Sequence, residues 1–216
     1  MADIHGNFSA LQAVVADLPS VDRLIVAGDI LGYYPLFNQC LELLNCNQAI
    51  SVLGNHEAML RGDITTPDNP ILKWYSELFS REASTATLQW LAQLSSSKTF
   101  DDAPGLLLCH GSPWKINEYL YSDSEGLKRF KGKSWQTVVL GHTHHQMDVN
   151  VDGCRIINPG SVGQPRDGDL RAAYALLDTS NGELRFKRVP YSNRDVVQLL
   201  ESANAPRELS MALLNK

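Results

Sequence analysis

The sequence predicts an α/β fold, and three observations carry that expectation. Short β-type apolar runs alternate with segments of helical periodicity through the first half of the chain. The second half is a series of strand-like runs with fewer helical patterns. Each run in the first two-thirds also stops at a glycine or a polar cluster, as a buried strand does when it feeds a loop.

Residues 7–18 place Leu11, Val14, Val15 and Leu18 at helical spacing. Residues 24–27 form an apolar strand run that ends at Gly28. Helical periodicity returns over 36–44, after the turn at Tyr34-Pro35, and the run 50–53 enters Gly54. Two helices are predicted over 71–81 and 85–94, with Trp74, Leu78, Leu88 and Leu91 facing inward. Residues 65–97 form an insert that can serve as a helical cap. Its aromatics Trp74, Tyr75 and Trp90 read as core at helical spacing, with base-stacking surfaces as the alternative. Strand character reappears at 105–109, 137–140, 149–151, 155–157, 173–177 and 184–189. The tail over 193–214 reads as helix, in two pieces broken near Pro206. Neither a repeat nor a linker divides the chain, so a single domain over 1–216 is expected.

Composition sets bounds on function. Of 216 residues, 44% are hydrophobic and 20% charged, enough for a sizeable core. A formal net charge of -5 without a basic run argues against a broad nucleic-acid-binding surface. Cys40, Cys46, Cys109 and Cys154 form no CxxC pair, which suits reduced thiols in a cytoplasmic protein. The opening residues lack a secretory pattern, and no apolar run approaches the roughly 18 residues of a membrane span.

Chemistry is concentrated where the strands stop. Four exits carry Gly28-Asp29, Gly54-Asn55-His56-Glu57, His110-Gly111 and Gly141-His142-Thr143-His144. In open α/β sheets, ligands bind outside the carboxyl ends of strands. The six histidines, at positions 5, 56, 110, 142, 144 and 145, all lie in or beside such clusters. One histidine alone is more often a satisfied polar residue than a ligand; six placed this way are hard to explain by packing. Imidazole, carboxylate and amide donors without thiolate suit Mn, Fe, Ni, Co or Zn in a reactive site rather than a closed structural zinc site.

Taken in order, Asp3-x-His5, Gly28-Asp29-x-x-Gly32, Gly54-Asn55-His56-Glu57, His110-Gly111 and Gly141-His142-x-His144 resemble the signature of the calcineurin-like metallophosphoesterases. Residues 158–168 resemble its small bacterial and archaeal phosphodiesterase branch. The resemblance implies two mixed β-sheets packed as a sandwich and flanked by helices. It implies two divalent metal ions, manganese first among them: one held by Asp3, His5 and His144, the other by Asn55, His110 and His142, with Asp29 bridging. The implied activity is hydrolysis of phosphodiesters or phosphomonoesters by in-line attack of a metal-bridging hydroxide. Asp29 and His56 are then catalytic, His56 as general acid, while Asn55 and Arg166 meet the substrate, a phosphate ester that extends to nucleotides. The alternatives are a dinucleoside polyphosphate hydrolase and a non-catalytic, protein-binding scaffold of the same fold. The sequence sets no oligomeric state.

Several residues carry two readings. Arg166 either contacts phosphate or pairs with Asp167 or Asp169. Glu57 is expected to support its loop, His145 to lie at the rim, and Ser161 to stabilise a turn. The resemblance also implies a hydrophobic opening strand at the centre of the sheet, whereas only Met1 and Ala2 precede Asp3. The expectation is therefore a shortened first strand, with unpaired edges and a core cavity in its place, and a natural start upstream.

Overall fold

In the computed structural model, which describes residues 1–214, the helix α1 (Phe8–Asp17) begins where Asn7 accepts a hydrogen bond from the Ala10 amide at 3.2 Å. That bond satisfies one of the amides a helix start leaves unpaired. Ala10, Leu11 and Val14 form the buried stripe of α1, and the same logic builds α2 (Phe37–Cys46) on Phe37, Cys40, Leu41 and Leu44.

The larger sheet contains β3 (Ser97–Phe100), β4 (Ala103–Cys109), β5 (Thr137–Val139), β6 (Gln146–Val151) and β7 (Cys154–Pro159) in the order β3-β4-β5-β7-β6. Its centre is parallel, with Leu107, Val138 and Ile156 in register, while both edges are antiparallel. Facing it are β1 (Ile25–Val26) paired with β2 (Ile50–Ser51), and β8 (Ala172–Leu177) paired with β9 (Leu184–Val189). The period-2 alternation of β4 divides the core. Leu106 and Leu108 pack with Ala2, Ala27, Val52 and Val139 between the layers, whereas Leu107 and Cys109 face Leu127 and Phe130 of the 3-10 helix Glu125–Phe130. The fold is thus the expected α/β sandwich of mixed sheets.

The first strand is a stub. Met1 accepts from the Ala27 amide at 2.9 Å and Gly28 accepts from Asp3 at 3.1 Å; on the other side Val162 and Gly163 donate to Ala2 and Asp3 at 3.0 Å each. Behind Met1 lies a cavity of about 950 Å³, bordered by Ile25, Leu106, Val139, Ile157 and Tyr174.

The helices α4 (Pro70–Glu82) and α5 (Thr85–Gln93) insert Tyr75, Leu78 and Leu91 into the cluster that holds Leu11 and Phe37. Tyr75 lies 6.0 Å from the Phe37 ring, and Trp74 and Trp90 pack partly buried against the same cluster, so these aromatics are core. The expectation that Leu88 faces inward is corrected: it is 50% exposed. The buried stripe of α5 runs through Thr87 and Leu91, and Leu88 lies about 100° round the helix from Thr87. Three elements escaped the pattern reading: β3, the 3-10 helix, and α3 (Asn55–Arg61). Each is too short for periodicity to show. The tail folds as α6 (Arg194–Ser202) and α7 (Arg207–Leu214), which pack against Tyr34. All four cysteines are free, with only Cys46 exposed, and among the described residues no helix is long and apolar enough to cross a membrane.

Candidate metal centre

Asp3 and His5 follow the stub, Asp29 follows β1, and Asn55 and His56 open α3 after β2. His110 follows Cys109 at the end of β4, and His142 and His144 follow β5. Parallel strands deliver their carboxyl ends to one edge, so all eight residues meet there. All eight are buried. Asp3, His5, Asp29, His142 and His144 have φ between 52° and 70°, left-handed backbone that non-glycine residues rarely adopt. Such conformations cost on the order of 1–3 kcal/mol each and persist where the surroundings over-determine them.

Backbone carbonyls set the histidine orientation. The Nδ1 atoms of His5, His110 and His144 lie 3.2, 2.7 and 2.5 Å from the carbonyls of Leu31, Ala27 and Gln164. An Nδ1–H donating there leaves each Nε2 lone pair directed inward, as a ligand requires. The Nε2 atoms of His5 and His144 stand 3.0 Å apart, and His144 Nε2 is 3.5 Å from Asp3 Oδ1. His110 Nε2 lies 2.9 Å from Asn55 Oδ1 and 3.3 Å from Asp29 Oδ2, while His56 and His5 approach the same Asp29 oxygen at 3.9 and 4.0 Å.

Donor atoms gather in three groups whose members lie within 4.8 Å of one another: Asp3–His5–His144, His5–Asp29–His56 and Asp29–His110–His142. Two features show that these residues fit divalent cations. His142 Nε2 is buried with no hydrogen-bond partner, a cost a metal bond would remove. The two facing Nε2 lone pairs of His5 and His144 likewise suit a shared cation. The first group holds Asp3 with His5 and His144, the third holds His110 and His142 with Asp29, and the second places His56 beside His5 and Asp29.

The electrostatics favour neutral imidazoles at His5, His142 and His144, but not at His110. Burial pushes His5 and His144 well below the usual histidine range and His142 to about 3. Burial raises Asp3 to about 7, opposed by His110. Burial also works to raise Asp29, but His110 and His56 outweigh it and hold that carboxyl well below its ordinary range. His110 is the converse case: burial acts to lower it, and Asp29 lifts it to about 9.

A supporting layer holds these loops. The Glu57 carboxylate accepts from the amides of Asp29, Leu31 and Gly54 at 3.0, 2.7 and 2.9 Å, joining two donor-bearing loops. Ser161 Oγ donates to the Asp3 carbonyl at 2.7 Å, and Asn158 Nδ2 donates to the Gly141 carbonyl at 2.6 Å. Gly54 is required by space: a Cβ there would stand 2.1 Å from Asp29 Oδ1. Arg166 pairs with neither neighbouring aspartate, since Asp167 binds Arg188 and Asp169 binds Arg171. Its guanidinium donates to Gln164 Oε1 at 2.7 Å and to the Tyr33 hydroxyl at 3.2 Å.

Sequence reasoning missed the rim aromatics. Tyr33 sets its ring 4.6 Å from His5 and 4.7 Å from His56, and Tyr119 stands 4.0 Å from the His142 ring. Tyr33 directly follows Gly32 of the GDxxG motif, a signal that was available. Tyr119 sits in a loop with no motif and had none. His145 lies at the rim as expected, 5.3 Å from Tyr121.

The family model described as calcineurin-like phosphoesterase superfamily domain matches residues 1–182. A metallophosphoesterase structure from Sphaerobacter thermophilus is 31% identical, with a TM-score of 0.86 over 99% of this chain and 97% of its own. A hypothetical protein from Pyrococcus horikoshii OT3 shares the fold, at 18% identity and a TM-score of 0.82 over 99% and 95% of the two chains. An uncharacterized protein of Methanocaldococcus jannaschii is 27% identical across 99% of this chain and 95% of its own.

Proposed function

This chain belongs to the calcineurin-like phosphoesterase superfamily, and from that premise we propose that it hydrolyses phosphodiesters at a centre of two divalent cations. The observation that carries the reading is that the three donor groups are linked, the second sharing His5 with the first and Asp29 with the third, which supports a carboxylate shared between two cations. Asp3, His5 and His144 would hold one cation and Asn55, His110 and His142 the other, with Asp29 shared. Nitrogen and oxygen donors suit Mn²⁺, with Fe, Ni, Co or Zn as further candidates. When bound, such a pair supplies the charge that lowers the pKa of a nucleophilic water and offsets charge gathering on the phosphoryl oxygens.

The chain's own residues do the rest. Asn55 and Arg166 orient the ester, Arg166 through a planar donor fork that suits phosphate oxygens. In hydrolysis a bond forms from the water oxygen to phosphorus, and the bond from phosphorus to the leaving oxygen breaks. The proton given up by the attacking water passes to solvent, and His56, which burial holds below the usual histidine range, takes one up from solvent and supplies it to that leaving oxygen. Its Nε2, 3.9 Å from Asp29 Oδ2, lies beside the proposed reaction centre. The Tyr33 ring covers His5 and His56 and keeps water from their outer faces.

The test is metal content by mass spectrometry together with Mn²⁺-dependent turnover of an aryl phosphodiester and the matching monoester. Wild type should carry two cations and turn over, and Asp29→Ala should do neither. His56→Ala should keep its metal while turnover falls roughly 10²–10⁴-fold. Loss of metal in His56→Ala would instead make His56 a ligand, full activity would remove its general-acid role, and a wild type without turnover on either ester would leave only the scaffold reading.

A further inference from the structure

Two exposed aromatic side chains stand side by side next to the centre. Tyr119 and Tyr121 are 52% and 39% exposed, although Leu120 between them is 2% exposed. The backbone alternates there: Leu120 anchors the loop in the core beside Phe130, and its neighbours turn outward on the same side. The two tyrosine rings are parallel to within 8° at a centroid separation of 6.3 Å. Ser124 Oγ accepts from the Tyr121 amide at 2.8 Å, and Arg129 pairs with Glu118, so this geometry belongs to a braced loop. The platform is continuous with the metal centre through Tyr119, which rests on the His142 ring, while Tyr121 meets His145 edge-on at 89°.

Both rings pack on histidines along one side and leave apolar surface in water on the other. They suit a flat heterocycle, because stacking on tyrosine needs only a π-face and tolerates any base. We propose that Tyr119 and Tyr121 form a nucleobase platform, which makes nucleotide esters the substrates of the adjoining centre. This rests on the phosphoesterase reading above, and it adds the group that distinguishes one phosphate ester from another. The phosphate lies among the buried donors, the sugar crosses His142, and the base stacks on the tyrosines. His145 borders the platform and is available to donate to the base or ribose edge.

The test uses two esters with the same leaving group: the p-nitrophenyl ester of thymidine 5′-monophosphate and methyl p-nitrophenyl phosphate. Wild type should prefer the nucleoside ester in kcat/KM. Tyr121→Ala should lower kcat/KM for that ester roughly tenfold while leaving the methyl ester unchanged, and Tyr121→Phe, which keeps the ring, should restore it. Equal losses on both esters, or none, would overturn the platform while leaving phosphoesterase activity intact. Calorimetric titration with adenosine 5′-monophosphate against methyl phosphate separates the two readings if neither ester turns over. Tighter nucleotide binding that Tyr121→Ala weakens would uphold the platform without catalysis, and indifference to the ring would end it.

Discussion

Glu57 offers the sharpest test of how the centre is held. It is fully buried, and its two oxygens accept three backbone amides from the loops that carry Asp29 and Asn55. Glu57→Ala would orphan all three. A buried donor left unsatisfied costs roughly 1–3 kcal/mol, so the sum lies between about 3 and 9 kcal/mol. Water entering the space, and release of the burial cost that with repulsion from Asp29 lifts the Glu57 carboxyl to about 8, bring the expected loss to the lower end, about 3–5 kcal/mol. Glu57→Gln should cost less. With its oxygen at the Oε2 position it keeps the Asp29 and Gly54 donors and sets an amide against Leu31 alone, a loss of roughly 1–3 kcal/mol. Urea unfolding at constant m-value measures both, and a cation titration should show weaker binding in the same order. A Gln variant as unstable as the Ala variant, or an Ala variant within about 1 kcal/mol of wild type, would show that the loops are held by other contacts.

Three further outcomes follow from the geometry and charge of the centre. Cation loading at pH 7 should release roughly one to two protons, because His110, raised to about 9, is protonated there and Asp3, raised to about 7, is about half so. Affinity should therefore climb as pH rises from 6 towards 9, and calorimetry in buffers of different ionisation enthalpy that finds no proton release would contradict the assignment. Gly54→Ala should weaken cation binding roughly 10–100-fold, since its Cβ would stand 2.1 Å from Asp29 Oδ1; unchanged affinity in a folded variant would mean the carboxylate has room to move. Ser161→Ala removes a bond to the Asp3 carbonyl and another from the Gln164 amide, so a loss of roughly 1–3 kcal/mol is expected in denaturant unfolding, and none would show that water replaces the hydroxyl.

Much of the fold was legible because its signals are local. The helix α1 and the strands at 184–189 and 172–177 follow from apolar periodicity over a few residues, and the Pro206 break divides α6 from α7 as a missing amide donor must. Leu88 was misread because a short helix admits two neighbouring stripes, and only packing against the first layer chose Leu91 and Thr87. The helix α3 was missed because it starts inside the Gly54-Asn55-His56-Glu57 cluster, whose composition speaks of a loop. A cavity was expected beside the short opening run, and one of about 950 Å³ lies there, but the expected unpaired edges are absent: Met1, Ala2 and Asp3 are hydrogen-bonded on both sides, which only the assembled structure shows.

The sequence by itself determined which donors exist and that each stands at the exit of a strand. Residue chemistry and glycine placement are local properties, readable without knowing what lies opposite. Which donors meet was decided by tertiary structure. His5 and His144, 139 positions apart, face each other at 3.0 Å because the strand stub and β5 deliver their ends to one edge. The carbonyls of Leu31, Ala27 and Gln164 that aim the imidazoles are ordinary backbone groups with no signature in the sequence. Tyr33 and Tyr119 reach the rim on loops whose course depends on the packing beneath them. Long-range register and packing select those neighbours, and no local pattern of residues encodes them.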